Sequence, residues 1–192
     1  FREQAIDLIR GDALNGFELV PFITGIGCRS PHSIVNVPTI GIMFLGQDGV
    51  YRIKGGLDGG ANLDIDKLSD PIQQYVERLA LDGLSSAVSI YSSQWREVHF
   101  YVAADDGHRL TMGLIYHIDS ASWSFRDNKE WGVNCITTDK DSNLIYGRWY
   151  DEDPLTTGQV NRGIYVISRK RTAGSFNKGT DESPNYQPNK IT

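Results

Sequence analysis

Short extended runs, each cut off by a turn signal, recur along this chain between Phe17 and Ser168, and through residues 86–126 the turn signals come about every 8–12 residues. That rhythm leaves little room for long helices and favours an all-β fold built from antiparallel neighbours. The first runs are 17–22 (FELVPF), 33–37 (SIVNV), 40–45 (IGIMFL) and 49–54 (GVYRIK). Between the last two stands Gln47-Asp48-Gly49. An Asp-Gly pair between apolar runs is a strong hairpin signal, because both residues accept left-handed backbone conformations. A positive φ at Gly49 is therefore expected.

The runs then group. Residues 86–91 (SAVSIY), 95–103 (WREVHFYVA), 112–118 (MGLIYHI) and 121–126 (ASWSFR) form a four-stranded antiparallel meander. Its turns fall at Asp105-Asp106-Gly107 and Asp119-Ser120, with Asp106 and Gly107 as the tight pair. A third group holds 131–137 (WGVNCIT), 143–149 (NLIYGRW) and 162–168 (RGIYVIS), with a turn at Asp139-Lys140-Asp141-Ser142. First strands begin near Ser33, Ser86 and Trp131, a period of roughly 45–53 residues that suits propeller blades. The fold expected is mainly β: propeller-like, or open antiparallel meanders, with one short helix. Three blades fall short of the roughly 4–8 of a closed propeller, so further blades or an open sandwich are expected.

Three segments stand apart from the strands. Residues 1–16 are expected to be weakly helical, since Ala5, Ile6, Leu8 and Ile9 are spaced for one helical face before Gly11 and Gly16. Residues 55–69, rich in Gly and Asp, read as a loop. A helix is expected over about 70–82, capped by Ser69 or Asp70, with Pro71 in its first turn and Ile72, Tyr75, Val76 and Leu79 at helical spacing. The propeller-like domain is thus expected over 17–171, followed by a polar linker or tail at 172–192. The chain opens on Phe1 without a signal-peptide pattern, and its polar tail points to a segment of a longer protein.

Composition narrows the function. Nineteen Lys and Arg against 24 Asp and Glu give a net charge of −5, the opposite of a nucleic-acid clamp. No apolar run is long enough for a membrane helix. Cys28 and Cys135, far apart, read as two buried thiols.

Candidate chemistry is sparse. The sequence has no HExxH, no GxSxG and no P-loop. His99 and His117 fall in strands of one meander, but no carboxylate or cysteine stands out beside both. Cys28 and His32 have metal-like spacing without a second pair of ligands. Asp139, Asp141 and Asn143 imitate the start of a calcium loop, yet Leu144 occupies the position that needs glycine. Asp64, Asp66 and Asp70 read as a solvated loop and a helix cap. The basic concentration Arg162, Arg169, Lys170 and Arg171 is a candidate contact for DNA phosphates or an acidic partner. No catalytic residue, metal or cofactor is expected, and the chain reads as a protein that is not an enzyme.

Two segments carry a resemblance. The run Gly25-Ile26-Gly27-Cys28-Arg29-Ser30-Pro31-His32-Ser33-Ile34-Val35, and Ile42 to Ile53 with its strand–Asp-Gly–strand pattern, resemble propeller domains of bacteriophage tail proteins. Ser69-Asp70-Pro71-Ile72 before a helix, and the later order Val98–Val102, Leu114–Ile118, Ser122–Ser124, are similar too. Gly46 stands where that family usually has Ser. The resemblance spans about residues 20–170. It implies a structural virion protein, a tail hub, nozzle or tube subunit of the DNA-ejection conduit. It further implies a homo-oligomeric ring, often a hexamer, contacts with other tail proteins and transient contact with genomic DNA. The alternative is a carbohydrate- or receptor-binding propeller with Trp95 or Trp149 stacking on sugars. A sialidase-type turn, however, is only hinted at, once, by Asp48-Gly49-Val50-Tyr51. A WD-type scaffold lacks its Gly-His and Trp-Asp signatures.

Overall fold

The computed structural model describes residues 1–55, 63–79, 82–104, 110–127, 133–148, 163–167 and 188–190. The described chain is mainly β and every strand pairing in it is antiparallel.

It opens with a hairpin, β1 (Ala5–Asp12) and β2 (Gly16–Thr24), where a weak helix was expected. The reason is local. The Asp12 carboxylate accepts hydrogen bonds from the Leu14 and Asn15 backbone N–H groups, both at 2.8 Å, and from Asn15 Nδ2 at 2.9 Å. Gly16 then supplies the positive φ (83°) that reverses the chain. The spacing of Ile6, Leu8 and Ile9 fits a helix face, but this Asx-type turn decides for a hairpin.

Three four-stranded meanders follow. The first blade holds β3 (Val35–Val37), β4 (Gly41–Leu45), β5 (Val50–Lys54) and β6 (Asp64–Lys67). Its fourth strand lies inside the segment read as a loop. Arg52 opposite Asp66 and Ile53 opposite Ile65 give it a cross-strand reason that the Gly- and Asp-rich composition hid. The second blade holds β7 (Val88–Ser92), β8 (Glu97–Val102), β9 (Met112–His117) and β10 (Ser122–Asp127). The third holds β11 (Val133–Thr138), β12 (Leu144–Arg148), β13 (Gly163–Ile167) and β14 (Pro188–Lys190). The last strand comes from the stretch read as a tail, so that stretch returns to pair with β13. Each blade's first strand starts two residues later than read from the sequence, which leaves the repeat spacing intact. First strands also neighbour one another: β7 contacts β3 and β11. The three sheets therefore adjoin through their first strands, as open antiparallel meanders.

The expected helix is shorter than 70–82. It is a 3-10 turn (Asp70–Ile72), one helical turn α1 (Gln73–Val76), and a second 3-10 segment at Asp82–Ser86. Ser69 sits at the cap position, but its hydroxyl accepts from Val50 N–H at 3.0 Å and caps nothing. Without a cap a helix of this length gains little from its own hydrogen bonds. Ile72, Val76 and Leu79 hold it in place by packing into the core.

Alternation along the strands divides the interior into three clusters. Met43, Leu45 and Val50 of the first blade meet Val98, Phe100, Val102, Leu114 and Tyr116 of the second, with the helix beside them. Phe44, Tyr51 and Ile53 point to the other face of the first blade and pack under Ile6 and Phe22 of the hairpin. Tyr101 and Leu110 of the second blade meet Val133, Leu144 and Tyr146 of the third. Two serines tie the blades at their roots. Ser30 Oγ donates to Ala87 O at 2.7 Å, and Ser33 Oγ donates to Ser30 O at 2.8 Å. Cys28, Ser30 and Ser33 are thus the buried points of a joint between two blades, while Pro31 and His32 of the same run are exposed.

Candidate functional site

Strand β8 carries the sequence Glu97-Val98-His99-Phe100-Tyr101-Val102, and all of these side chains are buried. Period-two alternation sends Val98, Phe100 and Val102 to the apolar core with the first blade. Glu97, His99 and Tyr101 go to the opposite face. On β9, His117 lies directly across from Glu97, and on β10 Ser124 lies one diagonal step beyond.

These side chains form one hydrogen-bonded row. Glu97, 2% exposed, has Oε1 3.0 Å from His117 Nδ1 and Oε2 3.1 Å from His99 Nε2. His117 Nε2 is 2.7 Å from Ser124 Oγ. The Tyr101 hydroxyl stands 3.5 Å from His99 Nδ1, a long contact, and the Trp95 ring lies 6.0 Å from that of His99. A carboxylate only accepts, so each histidine donates to Glu97 through the nitrogen that faces it. That leaves Nε2 of a neutral His117 as the acceptor for the Ser124 hydroxyl. Such a buried carboxylate is tolerated because both of its oxygens are hydrogen-bonded.

This corrects the reading that no carboxylate sits beside both histidines. Glu97 bridges them. The signal was present as Glu, His and Tyr at every second position of an otherwise apolar strand, which places all three on one face. Among the described residues no group of three or more His, Cys, Asp or Glu side chains converges to hold a metal ion. The nitrogens of His99 and His117 face the carboxylate itself.

The other singled-out residues are scattered. Asp48 and Gly49 do lie between β4 and β5, where Gly46 N–H donates to Gly49 O at 2.8 Å. The Gly49 φ is not positive, contrary to expectation. Glycine is needed there for space, because a Cβ would run into Ser69 Oγ and Lys67 Cε. Asp48 accepts from the Tyr51 hydroxyl at 2.6 Å and from Lys67 Nζ at 3.1 Å. Partial burial pushes the Asp48 carboxyl up, but those two hydrogen bonds and the Lys67 charge outweigh it and hold it below its usual range. Burial and the facing Asp48 carboxylate raise the Tyr51 phenol.

Asp66 pairs with Arg52 at 2.5 Å and with Lys54 across the strands, so it belongs to a strand surface. Asp139 accepts from the backbone N–H groups of Asp141 and Asn143 and from Asn143 Nδ2, each at 2.8 Å, which makes a closed polar turn. Cys28 is buried and bonds Ser30 O, whereas Cys135 is exposed, so only one of the two expected buried thiols is buried. His32 is exposed and apart from Cys28's bonds. Trp95 is half-buried against the Tyr101 cluster, with its ring beside that of His99. Asp106, Gly107, Trp149, Arg162, Arg169, Lys170 and Arg171 lie outside the described residues. No helix among the described residues is long and apolar enough to cross a membrane.

The hairpin is the other unusual feature. Its base is buried on the first blade, but Ile9 and Phe17 are each 72% exposed, Leu19 57% and Leu14, at the turn, 96%. Ile9 faces Leu19 and Gly11 faces Phe17, so Ile9, Phe17 and Leu19 share one face of the ribbon. Arg10 and Glu18 occupy the other. Set beside known proteins, the chain matches no family model and no curated sequence.

Proposed function

We propose that this chain is a structural subunit of a bacteriophage tail, a hub or nozzle element that docks its neighbours in a homo-oligomeric ring around the DNA path. The observation that carries this reading is the hairpin tip. A two-stranded ribbon is marginal in water by itself. This one nevertheless presents an apolar face of Ile9, Phe17 and Leu19 to solvent and a polar face of Arg10 and Glu18 behind it. A clustered apolar face with a polar back suits burial against another protein surface. Its base packs through Ile6 and Phe22 against Phe44 and Tyr51 of the first blade, which ties the arm to the sheet array. The resemblance of the Cys28–Ser33 joint and the Asp48-Gly49 hairpin to phage tail propellers supplies the assembly in which such an arm serves. A net charge of −5 suits a conduit past which DNA phosphates must slide without sticking.

The test is mass and location. In solution the chain should associate in a concentration-dependent way, and Ile9→Ser with Phe17→Ser should abolish that association while leaving the circular dichroism unchanged. Labelled antibody against the chain should decorate the tails of phage particles that carry it. A chain that stays monomeric at high concentration, binds no virion component and decorates no particle would end the proposal.

A further inference from the structure

The row on the second blade has a directionality that a merely satisfied carboxylate does not need. Glu97 has both oxygens occupied by His99 and His117. The link from His117 to Ser124 adds nothing to it. We propose that Ser124 is an activated nucleophile that takes the acyl group of a carboxylic ester, with His117 as its base and Glu97 as the positioning residue for that base. This goes beyond the assembly reading and stands or falls independently of it.

Three observations carry the proposal. The first is connectivity. Ser124 Oγ meets His117 Nε2 at 2.7 Å, and His117 Nδ1 meets Glu97 Oε1 at 3.0 Å. That is the hydroxyl–imidazole–carboxylate order of a catalytic triad, which is recognised by geometry and role, not by fold. The second is selection. Ser122 is the residue directly opposite His117, yet its hydroxyl is bonded to Ser120 Oγ at 2.7 Å and the imidazole takes Ser124 instead. The third is accessibility. The Glu97 side chain is 3% exposed and that of His117 30%, and Ser124 is half-buried on β10, the outermost strand of its sheet. A shielded acid, a partly shielded base and a reachable hydroxyl suit the task.

The sheet also offers a donor for the developing oxyanion. Ile118 N–H donates to Arg96 O, which makes Glu97 and His117 a pair without mutual backbone bonds. Alternation then makes His117–Ser122 and Ile115–Ser124 the bonded pairs on the other side of β9. The N–H of Phe125, next after the nucleophile, is thereby directed to the outer side of β10. A backbone N–H of the residue after the nucleophile is a recurrent oxyanion donor.

In the first step Ser124 Oγ bonds to the ester carbonyl carbon as its proton passes to His117 Nε2. The resulting imidazolium stays paired with Glu97. Collapse of the tetrahedral adduct breaks the bond to the alkoxy oxygen, which leaves as the alcohol with the proton from His117. Water, deprotonated by the same nitrogen, then attacks the acyl-serine, releases the carboxylic acid and restores the Ser124 hydroxyl. Atoms and protons balance, and no other reactant is needed.

The experiment uses a fluorophosphonate probe, followed by intact mass and peptide mapping, together with release of p-nitrophenol from p-nitrophenyl acetate. The expected result is stoichiometric labelling at Ser124. Labelling and release are lost in Ser124→Ala, kept in Ser122→Ala, and slowed about 100-fold or more in His117→Gln, the scale of a lost general base. If His117→Gln fails to fold by circular dichroism, the pH profile of labelling of the unaltered chain answers instead: a rate that climbs as the imidazole loses its proton supports the proposal, and a flat profile overturns it. Labelling elsewhere, no labelling, or a folded His117→Gln that labels as fast as the unaltered chain also overturns it.

Discussion

The two faces of the second blade solve the same problem in opposite ways. Toward the first blade, β8 presents Val98, Phe100 and Val102 to an apolar seam closed by the helix. Toward the third blade it presents Glu97, His99 and Tyr101, with Tyr101 in an apolar patch and the other two in a hydrogen-bonded row. The first seam is held by burial and tolerates no missing volume. The second is held by directional bonds and tolerates no missing partner. One strand therefore teaches that complete burial can rest on packing or on polar satisfaction, depending only on the parity of the residue.

The largest effect should come from the apolar seam. Phe100 is fully buried, and Phe100→Ala removes a ring from the centre of the largest cluster. The cost should be about 3–5 kcal/mol, measured by urea denaturation. A loss below 1 kcal/mol would mean that the two blades do not pack as described. Glu97→Gln sets the polar seam against it. Gln keeps one acceptor but turns an –NH2 group toward a histidine N–H, and the unpaired group should cost about 1–3 kcal/mol. A cost equal to that of Phe100→Ala would erase the contrast between the faces.

Two smaller tests concern the Asp48-Gly49 turn. At Gly49 the constraint is space, so Gly49→Ala should cost about 1 kcal/mol, and the bulkier Gly49→Asn at least as much. At a left-handed position the order would reverse, because Asn tolerates it better than Ala does. Thermal melts of the two variants decide between them. Asp48 adds a pH dependence. Its folded carboxyl is held low, so the stabilisation is complete above the unfolded value of about 3.9 and is lost as pH falls through the lower folded one. Its side chain is 61% exposed, so Asp48→Asn should cost no more than about 0.2–1 kcal/mol at pH 7. The difference between the two proteins should shrink as the pH is taken below 4.

Much of the blade structure was legible because strands and turns announce themselves locally. Asp48-Gly49 and the Asp139–Ser142 turn fall where the sequence puts them, and the three first strands keep their spacing. The errors share a cause. At Asp12–Gly16, one side chain's bonds to a turn overrode an apolar spacing that fits helix and strand alike. At Asp64–Lys67, the strand is justified by Arg52 and Ile53 across the sheet, which composition cannot show. At Ser69, a distant backbone group, Val50 N–H, took the hydroxyl that a cap would have used. The Ser124–His117–Glu97 row was missed for the same reason. Its members come from three strands, and only register brings Glu97 opposite His117. Reading β8 by parity would have found the Glu97–His99 half of it.

The smallest stability effect belongs to the hairpin tip, and there the smallness is the point. Leu14 is 96% exposed and Phe17 72%, so neither contributes burial to the isolated chain. Substitutions at such positions usually change stability by no more than about 0.5 kcal/mol. Leu14→Ser and Phe17→Ser should therefore leave the urea midpoint almost where it was. Ile6→Ser should not, because Ile6 at the hairpin base is 2% exposed and packs with Phe44 and Tyr51. The same ribbon thus contains a buried half that belongs to the fold and an exposed half that the fold does not use. If Phe17→Ser destabilised the chain as much as Ile6→Ser, the tip would be packed against the blades in solution. Its apolar face would then be part of this subunit's own core, and the arm would no longer be available to a neighbour.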